Sequence, residues 1–188
     1  GVIMSVIFMA NGVNAIIGGF ESSTHLSVSR NFFRQYLIAI VLSVLISVML
    51  VISVAVYLTV EVLMHVSDNT WLADLGRSVF VMIMILLTVS ILYKFGTKET
   101  KHLSFISIGS VFTTILIMLT SSAFGIYVSK FAKYNELYGS IGTLLVIMIY
   151  IWINCMILLL GFELNAAIYT AKRKNLYIFI IPISNNKE

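Results

Sequence analysis

The chain is written in long apolar stretches separated by short polar ones. Gln35–Val60 runs without a charge, and Gly1–Phe20, Ser78–Tyr93, His102–Ser129 and Leu137–Phe162 are also free of Asp, Glu, Lys and Arg. A helix apolar on every face has no side to show to water. In lipid it must be apolar all round, and about 20 such residues cross a hydrocarbon core about 30 Å thick. The pattern therefore predicts five membrane helices, over 1–20, 36–63, 75–94, 103–128 and 139–170. Strands fit poorly, because a transmembrane barrel alternates polar and apolar positions, whereas Ile38–Val56 is apolar on both parities and broken only by Ser. The expected fold is all-α: a polytopic transmembrane helical bundle over 1–170, followed by a basic cytoplasmic tail over 171–188.

The connections carry turn and cap chemistry: Ser22, Ser23 and Thr24; Ser67, Asp68 and Asn69; Gly96 and Thr97; Asn135 and Gly139. The one proline, Pro182, lies beyond every span, so no span carries a proline kink. The chain opens at Gly1 inside an apolar run with no basic leader, which is the start expected of a fragment rather than of a secretory signal. After Lys174 the apolar stretch Leu176–Ile183 is too short to span. It suits either the inner lipid surface or a loose end.

Composition narrows the class further. Hydrophobic residues make up 60% of the 188 and charged residues 11%, with mean hydropathy +1.02. A soluble domain carries about 25% charged residues, so no globular surface can be solvated here. The net charge of +4 does not point to nucleic acid, because the basic residues sit at span ends, where they meet anionic lipid headgroups. The single Cys155 rules out an intrachain disulfide or a cysteine zinc site.

Cytoplasmic loops are enriched in Lys and Arg. Arg30, Arg34, Lys94, Lys98, Lys101, Lys172, Arg173 and Lys174 fall on one side if the segments alternate, against Arg77, Lys130 and Lys133 on the other. This eight-to-three bias places the C-terminus in the cytoplasm and the 64–74 and 129–138 loops outside.

Helices in lipid associate through small residues and polar contacts. In the fourth segment Gly109 and Thr113, Ser110 and Thr114, and Ser121 and Gly125 are each four apart, which suits close backbone approach; Thr120, Ser121 and Ser122 could instead lend hydroxyls to a cavity. In the fifth, Asn154, Gly161 and Asn165 share one narrow stripe at 100° per residue. Trp152, Met156, Leu159 and Glu163 lie nearly opposite. Glu163 is costly in lipid unless paired or hydrated. Arg30, Arg34 and Lys94 are on the correct side to pair with it; a proton- or substrate-handling role is the alternative. Asn11 and Asn14 mark the first segment, where Asn11-Gly12 and Gly18-Gly19 are poor helix formers. Interhelical packing is the simpler reading there, and a bent or broken helix facing a cavity is the other. An Asn in lipid needs partners, so the Asn154 stripe is expected to face other helices, and the candidate cavity or polar-packing residues are Asn11, Asn14, Asn154, Glu163 and Asn165. His25 and His102 fall on one side and His65 on the other, and no metal-ligand spacing, phosphate loop or glycine fingerprint is present, so no cofactor or metal is expected. A cytoplasmic cluster of Glu21, His25, Glu99 and His102 is the weaker alternative.

Tyr138-Gly139-Ser140-Ile141-Gly142, the apolar run to Leu160, and Gly161-Phe162-Glu163-Leu164-Asn165-Ala166 resemble the YihY/BrkB family of inner-membrane proteins. Phe124-Gly125-Ile126-Tyr127-Val128 and the stretch from Ala10-Asn11-Gly12 to Phe20 look similar too. The likeness covers most of the chain and is strongest over 103–168. Its motif positions are Tyr138, Gly139, Gly142 and Gly161; Phe162 stands where a small residue is expected, and Gly18-Gly19 where a basic one is common. The resemblance implies about six membrane helices in the full-length protein and a cytoplasmic C-terminus. Members have carried the labels ribonuclease BN and virulence factor BrkB. The nuclease label finds no clustered His and Asp ligands here.

The function expected is a non-enzymatic bacterial inner-membrane protein that binds or moves a small or lipid-like molecule through an interhelical polar cavity. A scaffold or envelope-integrity protein without transport is the alternative, and a ribonuclease a more distant one. The expected partners are the bilayer, anionic headgroups at the basic ends, and such a ligand, with no nucleic acid.

Overall fold

A computed structural model describes residues 1–23, 31–64, 70–96, 105–131 and 135–180. It holds five helices: α1 (Val2–Ser23), α2 (Phe32–Met64), α3 (Thr70–Gly96), α4 (Ile108–Phe131) and α5 (Asn135–Ile180). All five are long and apolar enough to cross a membrane, and there is no strand among the described residues. In lipid every backbone polar group must be satisfied within the protein, and helices do this segment by segment. That constraint decides α1. It runs unbroken through Asn11-Gly12 and Gly18-Gly19, so the helix is not broken there. Breaking the ladder in lipid would leave several unpaired amides, against a propensity cost of about 1 kcal/mol for a glycine.

Helix ends follow local chemistry. α4 starts at Ile108 rather than 103 because Ser107 caps it. The Ser110 N–H donates to Ser107 Oγ at 3.2 Å, and the Ser107 N–H donates back to Ser110 Oγ at 3.0 Å. This is a reciprocal capping pair, with Ser110 in the place usually held by Glu or Gln. α5 is the longest element, at 46 residues. It continues past 170 through Lys172, Arg173 and Lys174, all good helix formers, and ends at Ile180, two residues before Pro182. The first half of the expected tail is therefore a continuation of α5, and 181–188 lie outside the described residues.

Close packing joins α1 to α2, α2 to α3, α3 to α4, α4 to α5, and α5 back to α1. The five helices thus form a closed ring. Their buried residues are confined to one level of it: Ala10, Val13, Ile17 and Phe20 on α1; Ala39, Leu42 and Ser43 on α2; Val89, Ser90, Leu92, Tyr93 and Gly96 on α3; Gly109, Ser110, Thr113 and Thr114 on α4; Gly161, Phe162 and Asn165 on α5. That level lies where α1 and α3 end and α2 and α4 begin. Towards the other end no described residue of any helix is buried. The ring is therefore tightly packed at one end, its narrow end, and at most half-buried along the described helices towards the other, its wide end.

Candidate functional site

At the narrow end side chains reach across the ring. Phe20 of α1 stacks on Phe162 of α5, with ring centroids 4.5 Å apart and planes at 18°. Tyr93 of α3 meets both edge-on, at 5.6 Å from Phe20 and 5.8 Å from Phe162. α1 and α3 are not neighbours in the ring, nor are α3 and α5, so these rings meet in its middle and fill it. Edge-to-face and offset-stacked contacts are the favoured aromatic geometries.

The Tyr93 hydroxyl extends the crossing. It lies 2.7 Å from the carbonyl oxygen of Leu158 and 2.7 Å from Thr113 Oγ1. A carbonyl can only accept, and a phenol has one proton. Tyr93 therefore donates to Leu158, and Thr113 donates to Tyr93. One hydroxyl pair thus ties α3, α4 and α5 together where no water is available, which is where an unmade hydrogen bond costs most.

This is possible because α4 and α5 approach closely. A Cβ added to Gly161 would collide with Thr113 Oγ1 and come within 2.6 Å of the Tyr93 hydroxyl; one added to Gly109 would collide with the Gly161 carbonyl oxygen and lie 2.6 Å from Asn165. Asn165, 3% exposed, accepts the Gly109 N–H on Oδ1 at 2.8 Å and donates through Nδ2 to Ser107 Oγ at 2.7 Å. Its side chain satisfies one of the free amides at the start of α4 from a different helix, a second cap supplied in trans. The stripe Gly109–Thr113 and Ser110–Thr114 is buried. Its continuation at Gly125 is open, with nothing within 4 Å of an added Cβ.

Towards the wide end the contacts join ring neighbours. Ser47 Oγ lies 2.9 Å from Met9 Sδ, between α2 and α1. The Arg77 guanidinium sits 5.4 Å from the centre of the Tyr57 ring, between α3 and α2, and 3.8 Å from Asp74 on its own helix. Ser121 Oγ lies 2.8 Å from the Tyr150 hydroxyl, and Phe124 packs on Tyr150 at 4.5 Å, both between α4 and α5.

The five candidate cavity residues do not share one place. Asn165 joins the motif glycine Gly161 in the narrow end. Asn154 is half-buried on the same face of α5, and its Nδ2 donates to the Tyr150 carbonyl of its own helix at 2.8 Å. Asn14 flanks the buried stripe of α1, with Oδ1 buried and without a hydrogen-bond partner among the described residues; Ser90 Oγ is in the same state. Asn11 and Glu163 are exposed at levels where the ring's interior is packed, so both face away from it. Among the described residues no ion pair reaches Glu163. Of the motif positions, Tyr138 and Gly139 lie within α5 and Gly142 is half-buried near its start. His25, His65, Glu99 and His102 lie outside the described residues. Among the described residues no three His, Cys, Asp or Glu converge as metal ligands. Phe20 and Tyr93 were not singled out from the sequence, Thr113 only as a small residue suited to close backbone approach, and Phe162 only as a departure from a pattern. An aromatic near a span end ordinarily reads as an interfacial anchor, and only the ring geometry turns these three rings inward.

Comparison with known proteins places these features in context. The model of a family described as virulence factor BrkB matches residues 1–176. The chain is 33% identical over 181 residues to a Bacillus subtilis (strain 168) protein named putative ribonuclease-like protein YfkH, covering 92% of this chain and 66% of that protein. It is 35% identical over 60 residues to a UPF0761 membrane protein of Pseudoalteromonas translucida (strain TAC 125), covering 32% of this chain and 20% of that one. A UPF0761 membrane protein of Vibrio parahaemolyticus is 29% identical over 77 residues, 41% of this chain and 24% of its own length. The chain thus spans less than two thirds of these relatives. No solved structure matches it.

Proposed function

The chain belongs to the virulence factor BrkB family of membrane proteins, and on that footing we propose that it binds or moves a small or lipid-like molecule through the helical ring, without catalysing a reaction. The observation that carries this reading is the ring itself, filled across its middle at one end and more loosely packed at the other. Helix ends and motif residues support an inner-membrane protein with a cytoplasmic C-terminus. The described basic residues Arg34, Lys94 and Lys172 stand towards the narrow end, and Arg77 and Lys130 towards the wide one, so the narrow end is cytoplasmic by the positive-inside rule. Basic ends there meet anionic headgroups.

The test is flux across proteoliposomes. Reconstituted protein is expected to accelerate either glycerol entry, read by light scattering, or exchange of a fluorescent phospholipid between leaflets, read by dithionite bleaching. A monodisperse protein that accelerates neither would overturn the reading in favour of a scaffold.

The printed name of the Bacillus relative suggests a nuclease. The polar groups that this structure brings together, Tyr93, Thr113, Ser107 and Asn165, are spent on one another and on helix backbone. They offer no free base and no nucleophile paired to one.

A further inference from the structure

We propose that Phe20, Tyr93 and Phe162 form the closed gate of a route for uncharged molecules, approached from the more loosely packed wide end; this rests on the binding-or-transport reading above. Three observations carry it. First, the rings come from alternate helices of the ring and touch one another, so they occupy its axis rather than a seam between neighbours. Second, the contacts described towards the wide end join ring neighbours, as between Met9 and Ser47 or Phe124 and Tyr150, and the described residues there are half-buried or exposed, none fully buried. A ring whose inward faces are only half-buried is packed less tightly along its axis at that level than at the aromatic cluster. Third, the gate has a latch. The Tyr93 hydroxyl holds the Leu158 carbonyl and Thr113, so opening must break two hydrogen bonds that a passing hydroxyl can replace.

The chemistry of the gate sets the class of molecule. Its surroundings are aromatic rings, Ile17, Thr113 and Gly161, and no Asp, Glu, Lys or Arg lies in 2–20, 78–93, 108–129 or 141–162. An ion there would have nothing to replace its hydration. A neutral molecule, apolar or bearing hydroxyls, would meet no such penalty.

Thiol accessibility tests the gate separately from flux. The full chain carrying Cys155→Ser and Asn154→Cys is expressed in membranes prepared as right-side-out and inside-out vesicles. Asn154 lies on the face of α5 that carries Gly161, about 10 Å along the helix towards the wide end, and its side chain bonds only its own helix. A charged, membrane-impermeant methanethiosulfonate is expected to modify this cysteine at least tenfold faster from the wide end than from the narrow end. Adding Phe20→Ala with Phe162→Ala should raise the narrow-end rate tenfold or more and leave the wide-end rate unchanged. Tyr93→Phe, which keeps the ring and removes the latch, should raise it by a smaller factor; if the double variant fails to insert, Tyr93→Phe and Phe162→Leu carry the comparison. Equal rates from both ends, no reaction from the wide end, or no rise in the variants would overturn the gate. In proteoliposomes the parent chain, with its gate residues intact, should admit glycerol and not choline, and equal entry of choline would overturn the neutral class. The expected thiol pattern without flux of any probe would leave the gate standing and remove the transport reading.

Discussion

Gly161 on α5 and Gly109 on α4 face each other at the tightest helix contact of the bundle, where a Cβ on either approaches the other's carbonyl oxygen. Without a hydrophobic drive between helices in lipid, this approach and the hydrogen bonds it permits are what hold the narrow end together.

Gly161→Ala and Gly109→Ala should each destabilise the protein by about 1–3 kcal/mol, the usual cost of forcing a methyl into a filled contact. Gly125→Ala, on the same helix as Gly109 but open, should be neutral or slightly stabilising. Thermal unfolding in detergent, followed by size-exclusion chromatography, separates the two. Equal shifts at 109 and 125 would contradict the close approach.

Asn165→Ala strands the buried Gly109 N–H and removes the bond to Ser107, so a loss of about 1–3 kcal/mol is expected. Asn154→Ala removes only a bond to its own helix and should cost about 0.5 kcal/mol or less. The ordering of the two midpoints in a denaturant titration is the check.

Tyr93→Phe keeps the aromatic contacts and deletes both hydroxyl bonds. Thr113→Val deletes the donor on the other side. Because they share a bond, their effects should not add, with a coupling of about 0.5–3 kcal/mol in a double-mutant cycle. Additive losses would place the hydroxyls in separate environments.

Glu163→Gln should leave stability within about 0.5 kcal/mol of the parent, since the residue is exposed and no ion pair reaches it among the described residues. Flux of whichever probe the parent moves should be unchanged as well. A loss of flux with stability intact would return Glu163 to the pathway.

The face shared by Asn154, Gly161 and Asn165 was legible from helical spacing alone, because 100° per residue fixes which positions align. The same arithmetic put Glu163 on the opposite side of α5, where the structure leaves it exposed. Spacing does not say which neighbouring helix a face meets. Asn165 therefore read as a polar residue for a cavity or for packing between helices, and the structure supplies the partner, α4, which it caps from fifty-six residues away along the chain. Asn11-Gly12 read as a weak point because local propensity was judged without the lipid's demand for an unbroken backbone ladder.

The sequence by itself determined the solvent and the element type. Five uncharged stretches of this length are tolerable only as helices in lipid, and that follows from desolvation with no knowledge of contacts. Only the tertiary structure decided that the five helices close into a ring, that one end of it is filled by Phe20, Tyr93 and Phe162, and that the other end is more loosely packed. Lipid rewards every apolar face alike, so hydropathy carries no signal for which face turns inward; close approach of glycines and a few matched hydroxyls and amides make that choice.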